Sequence, residues 1–190
     1  MSVFAVHPRI LRFEEEIRCL SHTEVTGFFS EDGTLLLKLQ GMCVPGEGCG
    51  TVIPDDALDV VSGQIMTHNH PSDASFTGRD LREASYFTLK EIRVVGRTGL
   101  FSMRPDPDGW PPPGEMVAKF EEIWNSTALA RRVARVMGEK ACHHDDTHGE
   151  GGRTAATRLR VRSDHCCELV AEELHLRYRK ADRPCRKTSA

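Results

Sequence analysis

Apolar positions in the first hundred residues fall into short runs with strand and helix periods. FEEEIRCL (13–20) predicts a helix. VTGFF (25–29) and TLLLKLQG (34–41) are rich in strand formers and flank Ser30-Glu31-Asp32-Gly33, whose Asp-Gly pair is hairpin chemistry. The loop GMCVPGEGCG (41–50) follows, and PDDALDVVSG (54–63) then predicts a short helix, with Asp55 and Asp56 in its first turn and Gly63 at its stop. QIMTHNH (64–70) reads as a buried strand ending at two histidines, TGRDLREASYFTLKE (77–91) as a helix, and IRVVG and LFSMRP as two more strands. DPDGWPPPG (106–114) is a stiff, turn-rich boundary.

Beyond Gly114 the period becomes helical. Met116, Phe120, Ile123, Trp124, Thr127 and Ala130 recur on one face of a predicted helix over 115–137. CHHDDTHGEGGRT (142–154) is a polar, glycine-rich loop, and residues 159–179 predict a second amphipathic helix anchored by Leu169, Leu174 and Leu176. The expected fold is thus α/β in the α+β sense: a mixed sheet flanked by helices over 1–110, a helical extension over 115–180 and a disordered tail over 181–190. No internal repeat is visible.

Composition narrows the class. With 190 residues, 39% hydrophobic and 28% charged, the chain fits one soluble domain plus an extension, and no stretch reaches the length of an apolar membrane span. The first residues lack the basic and long apolar regions of a signal peptide, so a cytoplasmic address is expected. Seven cysteines without a scaffold rhythm are expected to be reduced thiols, with a Cys43–Cys49 bridge disfavoured. Residues 1–114 carry 16 acidic and 10 basic side chains, and residues 115–190 carry 12 and 15. An acidic front half argues against nucleic acid as a partner, because such binding is built on Lys and Arg contacts.

The chemistry concentrates in HNHPSDASFTGRD, His68 to Asp80. His68 and His70 are two apart on a predicted strand, so both rings point to one face. Asp80 follows ten residues after His70, within reach of the same point by way of a flexible loop. Two nitrogens and one oxygen with an open fourth position are the makings of a catalytic zinc site. A competing reading treats Thr77 and Asp80 as a helix capping box that only satisfies backbone donors. Cys142, His143, His144 and His148 offer a second ligand set, but their glycine-rich, acidic surroundings favour a solvated loop. His165, beside Cys166 and Cys167, is expected to pack on its helix.

His68-Asn69-His70-Pro71-Ser72, followed by Ser75-Phe76-Thr77 and then Asp80, resembles the signature of the JAMM (JAB1/MPN/Mov34) metalloprotease family, and more narrowly its bacterial and phage-type branch with RadC-like members. The resemblance covers about residues 18–105, with one residue fewer than the commonest family spacing between His70 and Asp80, and Thr77 in place of the usual serine. It implies a JAMM/cytidine-deaminase-like mixed sheet in which His68, His70 and Asp80 bind Zn2+. Glu24, on the strand before the hairpin, would be the general base, ahead of Glu31 in the turn and Glu47 in the loop. Thr77 would be the oxyanion donor. The implied activity is hydrolysis of an amide bond in a protein or peptide substrate, ubiquitin-like proteins included. The alternative is a non-catalytic, zinc-braced structural or interaction protein, associated with phage particles or RadC-like. An HNH nuclease is suggested only by the letters of His68-Asn69-His70, since that motif is not contiguous.

Overall fold

A computed structural model describes residues 5–42, 50–141 and 150–182. A six-stranded mixed sheet runs in the order β2-β1-β3-β4-β5-β6, with β1 Thr23–Phe29, β2 Leu35–Met42, β3 Ile65–Asn69, β4 Glu91–Val95, β5 Gly99–Arg104 and β6 Arg177–Asp182. Only β3 and β4 are parallel, and the remaining neighbours are antiparallel. The helices among the described residues are α1 Pro8–Ile17, α2 Leu58–Val61, α3 Gly78–Tyr86, α4 Pro113–Trp124, α5 Thr127–Ala141 and α6 Glu150–Glu173. A single 3-10 turn, Asp55–Ala57, leads into α2. The expected α+β class and mixed sheet are therefore present.

The Asp-Gly hairpin forms as its chemistry requires. Gly33 takes the left-handed conformation at φ 77°, and the Asp32 carboxylate accepts from Ser30 Oγ and Thr34 N. Strand alternation then sorts the core into two layers. Ile10, Phe13 and Ile17 of α1 pack with Val25, Phe29, Ile65, Val95 and Leu100 on one face. Phe28, Met66, Ile92, Val94, Phe101 and Met103 meet α3 to α6 on the other. Gly27 lets α1 lie close to β1, since a Cβ there would come within 2.8 Å of the Phe13 ring.

Four expectations need correction. The helix after Thr77 stops at Tyr86, not near residue 91, because Thr88 turns into the left-handed region and Glu91 starts β4. The helix over 115–137 is two helices: Asn125 ends α4, and the Ser126 side chain caps α5 by accepting from Leu129 N. That break resets the phase, so Thr127 and Ala130 are exposed while Leu129 and Val133 are buried. The second amphipathic helix ends at Glu173, and after His175 at φ 54° the chain enters β6, where Ala181 and Asp182 are paired strand residues and not tail. The extension thereby supplies a strand to the sheet, with Leu176 buried and Leu169 and Leu174 packed against the same core. Finally, Cys19 is disulfide-bonded, against the expectation of reduced thiols, while Cys166 and Cys167 are free and buried. Cys43, Glu47 and Cys49, the loop with Cys142, His143, His144 and His148, and residues 183–190 lie outside the described residues.

Candidate metal centre

The site sits where the parallel β3–α3–β4 crossover leaves the sheet, the place at which open α/β sheets offer a crevice. His68 is the fourth residue of β3 and is fully buried. His70 stands just past the strand, its N–H still bonded to Val95 O at 3.0 Å. Both rings lie on the α3 face, and their Nε2 atoms are 3.0 Å apart. Asp80 Oδ1 is 3.3 Å from His68 Nε2, and Asp80 Oδ2 is 3.5 Å from His70 Nε2. These separations match the edges of a tetrahedron with bonds of about 2.0–2.1 Å, the zinc–imidazole length. His68, His70 and Asp80 are the one such group of potential ligands among the described residues.

Asp80 also carries the capping box, so the two sequence readings of that residue coexist. Thr77 accepts from Asp80 N through its side chain, while Asp80 Oδ2 accepts from Thr77 N at 2.6 Å and from Thr77 Oγ1 at 2.7 Å. The cap fixes the carboxylate against the two rings. It also spends the Thr77 hydroxyl proton on Asp80, which leaves that hydroxyl no proton for an oxyanion.

His70 is oriented by the loop that follows it. Its Nδ1 donates to Ala74 O at 3.1 Å and Ser75 O at 3.0 Å, which fixes the proton there and leaves the Nε2 lone pair facing the cluster. His68 Nδ1 is buried and has no hydrogen-bond partner among the described residues, so the Nε2 edge is where both rings converge.

Glu24 joins this group by register. Thr26 of β1 lies opposite His68, and Glu24, two residues earlier, points to the same face, where it is 8% exposed. Burial raises its pKa above the ordinary carboxylate value, and His68 opposes that rise. For His68, burial works against the proton but Asp80 and Glu24 outweigh it, and the pKa rises. For His70, burial prevails and the pKa falls. Asp80 is held far below the carboxylate range because the two imidazoles overcome its own burial. The two imidazoles are thus pushed in opposite directions, His68 toward holding a proton beside Asp80 and His70 away from it. A divalent cation would replace that proton.

Two supports were not anticipated. Asn69, between the histidines and on the opposite face, accepts from Val25 N at 2.7 Å and donates to Thr23 O and Leu20 O. It thereby stands in for the ladder at the start of β1 and sets where Glu24 begins. Strand alternation places Asn69 on the face away from the histidines, but its bonds to residues 20–25 depend on where β1 lies and have no local signal. The second support is Arg79, which donates to Thr51 O and Glu83 Oε1, while the Thr51 and Thr26 hydroxyls share a hydrogen bond. Together they hold residues 50–53 alongside the site. Glu31 pairs instead with Lys90, away from the histidines.

A cavity of about 430 Å³ lies along α3 beside residues 52–53, lined in part by Val52, Ile53, Arg79, Glu83 and Tyr86; none of the two histidines, Asp80 and Glu24 is among its lining residues. A larger one, about 680 Å³, lies over the ends of β3, β4 and β5 near Glu91, Arg104 and Arg177, distant in role from the histidines. No helix among the described residues is long and apolar enough to cross a membrane. Compared with protein-family models, curated proteins and solved structures, the chain matches none.

Proposed function

We propose that this chain is a zinc-dependent peptidase or isopeptidase of the JAMM type, acting on an amide bond in a protein or peptide. The observation that carries the reading is the convergence of His68 Nε2, His70 Nε2 and the Asp80 carboxylate at tetrahedral edge distances, with buried Glu24 on the same sheet face. The donor set fits zinc: two neutral-capable imidazoles and one carboxylate leave a fourth position free. Zinc held there supplies Lewis acidity, drawing down the pKa of a water and polarising an amide carbonyl.

The chain's own residues do the rest. Glu24, with its pKa raised by burial, takes the proton from the attacking water and returns it to the leaving amine. His70 holds its tautomer through the carbonyls of residues 74 and 75, and Thr77 holds the Asp80 carboxylate in place. A zinc-braced structural or interaction protein is the second reading. It is favoured by one observation, the commitment of the Thr77 hydroxyl to Asp80.

Glu24→Gln separates the two readings. The amide keeps shape and hydrogen bonding but takes no proton, so zinc content should be unchanged while cleavage of ubiquitin-like fusions or linear peptides falls by about 10²–10⁴-fold. Equal cleavage by wild type and variant removes Glu24 as the base, and no cleavage of any substrate by wild type favours the structural reading.

A further inference from the structure

The loop between the two histidines and Asp80 is buried by the far end of the chain. Ala74, Ser75 and Phe76 are 6%, 0% and 0% exposed. Phe76 packs edge-on against Tyr178 of β6, and its carbonyl accepts from Ser163 Oγ and Cys167 Sγ of α6. Arg160 of α6 reaches Asp73 and Thr98, which are themselves hydrogen-bonded. At the centre, Tyr178 donates its hydroxyl proton to Asp164 Oδ1 at 2.8 Å. The phenol has no second proton, so in its 3.0 Å bond with Ser75 it accepts, and Ser75 Oγ donates. Lys180 holds the other Asp164 oxygen at 2.6 Å.

Ser75 is also the residue whose backbone carbonyl accepts from His70 Nδ1. Ser75 is therefore held at two points: its hydroxyl is tied to Tyr178, Asp164 and Lys180, and its backbone carbonyl, in the same residue, receives His70 Nδ1, so the bonds from α6 and β6 fix where that carbonyl stands. We propose that α6 and β6 are a working part of the metal site, with Tyr178 acting as a positioning residue that sets the orientation of His70. The outer partners of a metal-binding histidine fix its tautomer and direction, and their loss costs metal affinity without removing a ligand. Here that outer shell is completed by residues about a hundred positions downstream.

This inference rests on the zinc reading above, and its test keeps the two apart. Tyr178→Phe retains the ring against Phe76 and removes only the hydroxyl. Zinc affinity of the full chain, measured by competition with a fluorescent chelator well below the melting temperature, should weaken about 10-fold, the lower end of the range for such outer partners. The gain in melting temperature on adding zinc should shrink with it. Ser75→Ala removes the same hydrogen bond from the other side and should show the same loss, and the double variant should be no worse than either single one. If Tyr178→Phe fails to fold, Ser75→Ala decides. Affinities within twofold of wild type, with melting temperatures lowered equally with and without zinc, make Tyr178 a packing residue and overturn the proposal. A wild-type chain that binds no zinc overturns the zinc reading itself.

Discussion

β3 and β4 border a buried polar cluster on each face of the sheet, and the two clusters balance their charge differently. On the α1 face, Arg93 bonds Glu14 and Glu91, Arg104 bonds the other oxygen of Glu91, and Thr67 donates to Glu14. Two carboxylates meet two guanidiniums that never lose their charge, and Glu14, Glu91 and Arg93 are at most 1% exposed. On the α3 face, Glu24 and Asp80 meet two imidazoles, with the Arg79 guanidinium acting on both carboxylates from the start of α3. The charge on those imidazoles depends on a proton that a metal ion can displace. A network of permanent charges braces a sheet, whereas a cluster whose charge rests on imidazole protons can exchange a proton for a metal ion.

The sharpest way to break this contrast is His68→Ala with His70→Ala. The α3 face should lose its metal altogether, giving zinc content near zero by elemental analysis, while the α1-face network and far-ultraviolet circular dichroism stay as they were. Zinc retained in the double variant places the ion elsewhere in the chain. Arg93→Met attacks the other side: it takes the guanidinium from buried Glu14 and leaves Glu91 with Arg104 alone, and should cost about 3–5 kcal/mol in chemical denaturation. Zinc affinity of the protein that remains folded should be little changed. A loss below about 1 kcal/mol shows that the network is not holding the sheet. The smallest effect belongs to Thr77, where the helix cap and the metal side meet. Thr77→Ala should cost about 1 kcal/mol through the lost cap, and Thr77→Ser should restore it. If Thr77→Ala leaves stability unchanged but abolishes cleavage, its hydroxyl serves an oxyanion in solution and not the cap.

What could be read from the sequence was what local chemistry decides. Asp32-Gly33 specifies the hairpin, the two-residue spacing of His68 and His70 puts both rings on one face, and Thr77 followed by Asp80 specifies a helix start. The strand runs through Arg104 follow from periods visible within a dozen residues, whereas α1 spans Pro8–Ile17 and not 13–20, and α3 stops short of residue 91. What escaped depends on partners far along the chain. Residues 177–182 are mostly charged or polar, with no apolar alternation, because β6 lies at the sheet edge with its side chains largely exposed or half-buried. Its identity comes from pairing with β5, Gly99 to Asp182, and no local pattern announces that. Asn125 looks like an ordinary helix residue until the turn at Ser126 is seen. Arg93 reads as a surface charge in a strand until Glu14, 79 residues earlier, is placed against it.

The pairing of β6 with β5 carries a consequence in time as well as in space. Strands joined across some 80 residues are slow to meet, because the intervening chain must be gathered before the contact repays its closure entropy. During synthesis the two histidines and Asp80 emerge early, yet the residue that steadies His70 leaves the ribosome more than a hundred positions after that histidine. For that interval the ligands exist without their lock, and the edge of β5 stands open as a template for stray strands. Closure of the loop that carries Ser75 against the histidines is thereby tied to completion of the fold.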